Sequence, residues 1–174
     1  MPCSQTLNGI LQDCAANMGG IVEVYLANKA EVTATLSDGK VTAITMASSA
    51  KFHKYQFKPG VSSMSSNYQV NQENGTKFVQ TDLLLVFNRM ETAKRVEVVA
   101  MAQGELAAIV KDANGIYWFL GMDEPIVLNA GDGLTGTARA DRNGYSVTLQ
   151  DNSKEMPYEV LVGTGGVDLD SIVA

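Results

Sequence analysis

Residues 61–89 read VSSMSSNYQVNQENGTKFVQTDLLLVFNR, and the fold turns on how this stretch is paired. Asn74-Gly75 sits at its centre, a dipeptide suited to a tight hairpin turn because both positions tolerate positive φ. In the descending arm Val79, Thr81, Leu83, Leu85 and Phe87 recur at period two, which places them on one face of a strand. The ascending arm, about Val61 to Gln72, is dominated by Ser, Asn and Gln. Near the turn Asn71, Gln72, Glu73, Asn74, Thr76, Lys77 and Gln80 make both faces polar. These features predict a long hairpin over 61–88 that projects from the body with only its base in a core. An isolated hairpin is marginal in water, and its bare edges invite pairing with another chain. The competing reading is a mobile loop.

Three further pairs, Asp38-Gly39, Asn114-Gly115 and Asn143-Gly144, carry the same turn signal. Their flanks agree: EVTATLS and KVTAITM around the first, LAAIVKD and IYWFLGM around the second, and GYSVTLQ from Gly144. In the last, Tyr145, Val147 and Leu149 alternate with Ser146, Thr148 and Gln150. One helix is signalled over 89–103, with Asn88 as cap, Glu91 as capping-box partner and Gly104 as stop. Its expected inward stripe is Val96, Val99, Ala100 and Gln103. The fold class that follows is a β-rich α+β domain: an antiparallel β-sandwich or barrel with one flanking helix and a long projecting hairpin.

The body is expected to run from 20 to 162. Residues 1–19 precede it as an arm or short helix, with Leu7, Ile10 and Leu11 at helical spacing before Gly19-Gly20. Residues 163–174 follow as a C-terminal tail or docking segment. The 174-residue length suits one core, and no run of 18 apolar residues exists to span a membrane as a helix. The opening MPCSQTLNG lacks the basic and apolar regions of a secretory leader. Net charge is −6, and residues 105–174 carry it, with 11 acidic and 4 basic side chains. Such a protein lacks the concentrated Lys and Arg that gripping nucleic acid requires, yet it can sit beside DNA and repel it.

Catalytic and metal chemistry are sparse. Cys3 and Cys14, ten residues apart, match no zinc spacing, and one histidine, His53, cannot complete a ligand set with them. They could form a disulfide in an oxidising place; two free thiols in a reduced one is the favoured reading. His53 lies in the strand-like KFHKYQF with no nucleophile motif beside it, and reads as structural or solvent-facing. The stretch GDGLTGTARADRNG (131–144) has neither the P-loop ending nor EF-hand spacing and is expected as turn and loop. Asp123 and Glu124 sit in a turn before Pro125, and Asn74-Gly75-Thr76 matches a glycosylation sequon at a hairpin tip. Tyr117, Trp118 and Phe119 are expected to pack in a strand. No enzyme, no cofactor and no metal are expected.

The order of these pieces resembles a group of virion proteins from tailed phages of gut Bacteroidales, the crAss-like phages included. The likeness is carried by Cys3…Asn8-Gly9-Ile10…Asp13-Cys14, Gly19-Gly20-Ile21, Val24-Tyr25-Leu26-Ala27 and Val41-Thr42-Ala43-Ile44-Thr45-Met46. It continues through Glu73-Asn74-Gly75-Thr76, Ile109-Val110-Lys111-Asp112, Tyr117-Trp118-Phe119-Leu120-Gly121 and Asp141-Arg142-Asn143-Gly144-Tyr145. The resemblance implies a tail-tube-like or neck-ring subunit located in the virion and assembled in the host bacterial cytoplasm. In such proteins six or twelve copies form a ring, and their hairpins join into one inner barrel around a DNA channel. Other tail or neck proteins would dock above and below, DNA would pass without specific binding, and no membrane would be involved. Ser65, Asn67, Gln69, Asn71, Asn74, Lys77, Gln80 and Asp82 are the candidate interface or channel residues. One departure stands out: the hairpin sets Glu73 and Asp82 against Lys77, so channel acidity would have to come largely from residues 105–174. The alternative is an extracytoplasmic β-sandwich binding module, for example for carbohydrate, which would need Tyr117 and Trp118 exposed.

Overall fold

The computed structural model describes residues 7–12 and 14–174. In chain order the elements are β1 (Ile21–Asn28), a 3-10 turn (Lys29–Glu31), β2 (Val32–Ser37), β3 (Lys40–Met46), β4 (His53–Gln56), β5 (Ser63–Asn71) and β6 (Thr76–Asn88). Then come α1 (Thr92–Gln103), β7 (Leu106–Asp112), β8 (Tyr117–Leu120), β9 (Val127–Leu134), β10 (Gly144–Ser153), β11 (Tyr158–Val160) and α2 (Leu169–Ile172). The strands make two sheets, ordered β2-β3-β11-β8-β7-β1-β4 and β5-β6-β10-β9. The expected β-rich α+β sandwich is present as two open sheets, and β11 adds one parallel pairing, with β3.

Burial follows the sequence pattern of each strand. In β7 the run Leu106–Val110 is buried throughout, the signature of a strand covered on both faces. Leu106, Ala108 and Val110 join Val24, Leu26 and Leu120 in a core shared with Leu83, Leu85, Val147 and Leu149 of the small sheet. Ala107 and Ile109 point the other way, into a second cluster with Tyr25, Val41, Phe119 and Val160. The C-terminal stretch covers that second face. Val167 and Ile172 are buried there, and Phe52 exchanges backbone bonds with Ile172 and Ala174. Residues 163–174 therefore dock on the body. In β10, by contrast, burial alternates, so the small sheet is packed on one face only.

The helix differs from its sequence reading. It starts at Thr92, and Glu91 occupies the cap position without a side-chain bond. Asn88 cannot serve as cap because β6 runs through it, opposite Gly144. The inward face is carried by Met101 and Val98, which pack on the inter-sheet core, while Val96 and Val99 are exposed. Gly104 ends the helix with φ −92, outside the left-handed region expected of a glycine stop.

The four X-Gly pairs divide in the same way. Only Asp38-Gly39 is a two-residue turn, with φ of 52 and 75 joining Ser37 to Lys40. At Asn74-Gly75 the last paired row is Asn71 with Thr76, and Asn71 Oδ1 accepts from the backbone N–H of Glu73 and Asn74. Asp112 Oδ1 organises the Asn114-Gly115 loop similarly, accepting from Asn114 and Ile116. Asn143-Gly144 closes a long loop after Leu134, which pairs with Gly144 itself. Part of the Gly-rich stretch expected as loop is thus strand: Gly131, Asp132 and Gly133 belong to β9. A Cβ at 133 would stand 3.1 Å from the Tyr145 ring, so any larger residue there has to push that ring aside by a few tenths of an ångström. Residues 7–12 and 14–19 form neither helix nor strand, and Leu7, Ile10 and Leu11 are bare to solvent. Cys14 is an exposed free thiol, whereas Cys3 lies outside the described residues.

Candidate assembly surface

The register of the small sheet decides which side chains share its unburied face. Directly opposed residues in an antiparallel pair point to the same side. Asn67, Gln80 and Asn152 form one outward row across β5, β6 and β10. Ser65, Asp82, Gln150 and Val127 form the next, reaching β9, followed by Ser63, Leu84, Thr148 and Ala130. Val86, itself buried, lies in a row with Ser146 and Asp132, and Asn88, Gly144 and Leu134 close the series. Apart from Leu84, Val86, Phe78 and a few small or edge positions, this face is a carpet of hydroxyls and amides.

Six of the eight candidate residues lie on it: Ser65, Asn67, Gln69, Asn71, Gln80 and Asp82. Asn74 is at the turn, and Lys77 points to the opposite side, its ammonium 5.0 Å from the centre of the Tyr68 ring. Lys77 is the only base in the four strands, so the outward face is left with acid alone. Gln80 Nε2 donates to Asp82 at 3.2 Å. Asp132 accepts from the Ser146 hydroxyl at 2.6 Å and from Arg142 at 2.8 Å, and these partners hold its carboxyl below the usual range. Residue order alone does not nominate Asp132 for the channel, because its Gly-rich surroundings read as loop. Its place opposite the alternating strand that starts at Tyr145 is the signal that could have found it.

The hairpin projects less than its sequence suggests. Beyond the end of β10, opposite Val79, only the rows Gln69–Phe78, Val70–Lys77 and Asn71–Thr76 and the turn extend further. Those rows are exposed on both faces, as expected from their polarity. Among the described residues neither edge of the sheet, β5 or β9, has a partner strand.

Other candidate chemistry is dispersed. His53 is exposed on β4, and among the described residues no three side chains converge to hold a metal. Asp123 accepts from the Lys154 backbone N–H at 2.9 Å. Phe119 is buried, while Tyr117 and Trp118 are half-buried, and the Trp118 indole N–H donates to Asp112 Oδ2 at 3.2 Å. Among the described residues no helix is long and apolar enough to cross a membrane.

No family model, curated protein or solved structure matches this chain.

Proposed function

We propose that this protein is a structural subunit of a phage tail tube or neck ring, which self-assembles head to tail around a DNA-conducting channel. The observation that carries the proposal is the outward face of the small sheet: neutral-polar, tinted acidic, given no base by its own strands because Lys77 points the other way, and bounded by two strand edges unpaired among the described residues. A face of hydroxyls and amides is content in water, whereas bare edges on both sides call for strands to pair with. Pairing β5 of one copy with β9 of the next satisfies both edges by one repeated contact, and such a contact closes into a ring when its rotation allows. The polar face then lines the bore, where uncompensated carboxylates such as Asp82 repel phosphates and let DNA slide. Asp132, from the acidic part of the chain, also faces that lining, with its charge answered by Arg142. The carbohydrate-module reading has less support, since Trp118 packs on the core and gives its N–H to Asp112 instead of standing clear.

The test is a cysteine pair, Asn67→Cys on β5 with Ala130→Cys on β9, in a Cys14→Ser background. Oxidation at raised concentration should give a ladder of linked oligomers ending at the ring size, with rings or tubes in electron micrographs. A chain that stays monomeric at every concentration and forms no ladder overturns the proposal.

A further inference from the structure

A further unpaired edge lies in the large sheet. β4 ends the large sheet, and among the described residues His53–Gln56 make no backbone pairing except with β1. Helix α1 runs beside it, and two adjoining hollows of about 280 and 230 Å³ lie between them, sharing Tyr55 and Glu97. Leu26, Phe87, Ala93, Ala100 and Leu106 supply their apolar lining. Val96, exposed and one turn from both Ala93 and Ala100, widens the apolar strip along the helix. A free strand edge beside a helix with an apolar floor is the arrangement that accepts an extended segment by strand addition.

At the smaller hollow the rim charges are already answered, while the larger keeps Glu31, Lys51 and His53 in its lining. Tyr55 donates its hydroxyl to Glu97 at 2.6 Å, Lys54 pairs with Glu23 at 2.8 Å, and Lys94 pairs with Glu91 at 3.4 Å. The smaller hollow thus suits a neutral, apolar occupant. The chain carries one. Its first 22 residues contain a single charged side chain, Asp13. Leu7, Ile10 and Leu11 there are 92%, 100% and 95% exposed, beyond what a lone soluble domain gains from displaying them. In this structure the arm lies outside its own groove, and its root is held at the far side of β1 from β4. Met18 N–H donates to Asn114 Oδ1 at 2.8 Å and Asn114 Nδ2 donates to Asn17 at 2.9 Å, tying it to the β7–β8 turn. In the sheet β7 and β1 stand between that turn and β4. From Asn17, where it is tied, to Ile10 the arm can span about 24 Å, the reach it has toward a neighbouring molecule.

We infer that the N-terminal arm of one copy seats Ile10 and Leu11 in the β4–α1 groove of a second copy, adding a strand to β4. This contact uses a different edge from the ring contact and stands whether or not the ring forms.

Complementation tests it on full-length chains. Ile10→Asp/Leu11→Asp spoils the arm and leaves the groove open; Ala93→Trp/Ala100→Trp fills the groove and leaves the arm. Sedimentation should show each variant self-associating at least about tenfold more weakly than the parent, and their mixture forming a one-to-one complex. A synthetic peptide of residues 5–18, added to the parent chain with its own arm spoiled, should shift or protect the amides of His53–Gln56. This second readout does not depend on the tryptophan variant folding. The inference is overturned if the arm variant associates like the parent, if the peptide leaves those amides unmoved, or if their protection in the parent is independent of concentration, which would put the arm in its own groove.

Discussion

Asp151 on β10 stands directly across from Thr81 on β6, and both are buried in the face between the sheets. The Thr81 hydroxyl is engaged with Ser66 at 2.8 Å, and among the described residues Asp151 Oδ1 has no hydrogen-bond partner. Burial pushes the Asp151 carboxyl up to about 6; Asp123 and Glu124 push the same way, against the Gly121 N–H and Lys29.

The pH dependence follows from that shift. An unfolded Asp titrates at about 3.9, so between there and about 6 the folded chain binds more protons than the unfolded one. Stability from this group is therefore fully present below about 4 and is lost as pH rises through about 6. Asp151→Asn should raise stability at pH 7.5 by about 2 kcal/mol, with little gain at pH 4.5. Denaturant melts at the two pH values measure this, and an equal gain at both would refute it.

Gly144 is where β10 begins against Phe87 and Asn88. A Cβ there would lie 1.9 Å from the Phe87 carbonyl oxygen, a backbone atom that cannot swing aside. Gly144→Ala should cost about 3 kcal/mol or more and leave little soluble protein. Gly75→Ala, at φ 66 but with open space around it, should cost only about 1 kcal/mol. Thermal melts of the two side by side give the comparison.

Ile172 fixes the C-terminal segment over the second face of the large sheet, with Val167 beside it. Ile172→Ala should lower unfolding free energy by about 2–4 kcal/mol, as for other buried aliphatic truncations. If the segment were a loose tail, the substitution would leave the melt unchanged.

Charge on the outward face of the small sheet can be reversed without touching a core residue. Asp82 and Gln150 are cross-strand neighbours, so Asp82→Lys/Gln150→Lys places two bases side by side, repeated in each copy of an assembly. Assembled variant should retain duplex DNA at 50 mM salt and release it by 200 mM, while the parent retains none at either. A folded, assembled variant that ignores DNA would argue that this face does not line the channel.

Much of this fold is legible in residue order, because period-two burial and turn chemistry are local. Tyr145, Val147 and Leu149 announce β10, and Asp38-Gly39 announces its hairpin. What stayed hidden depends on distant partners. The helix stripe at Val96 and Val99 follows helical spacing, but the sheet beneath it takes Met101 and Val98 instead. Gly131 and Gly133 look like loop until Val147 and Tyr145 are set against them. The hydroxyl-and-amide face could be read on β5 and β6, where polar residues dominate. Its continuation on β10 and β9 needed the strand order.

The position of β11 has a consequence for synthesis. It alone joins the β2–β3 ribbon to β8 and the rest of the large sheet, entering beside β3 in parallel and beside β8 in antiparallel. A nascent chain therefore holds two unfastened fragments until residue 160 has left the ribosome, and only then does the sheet zip into one piece.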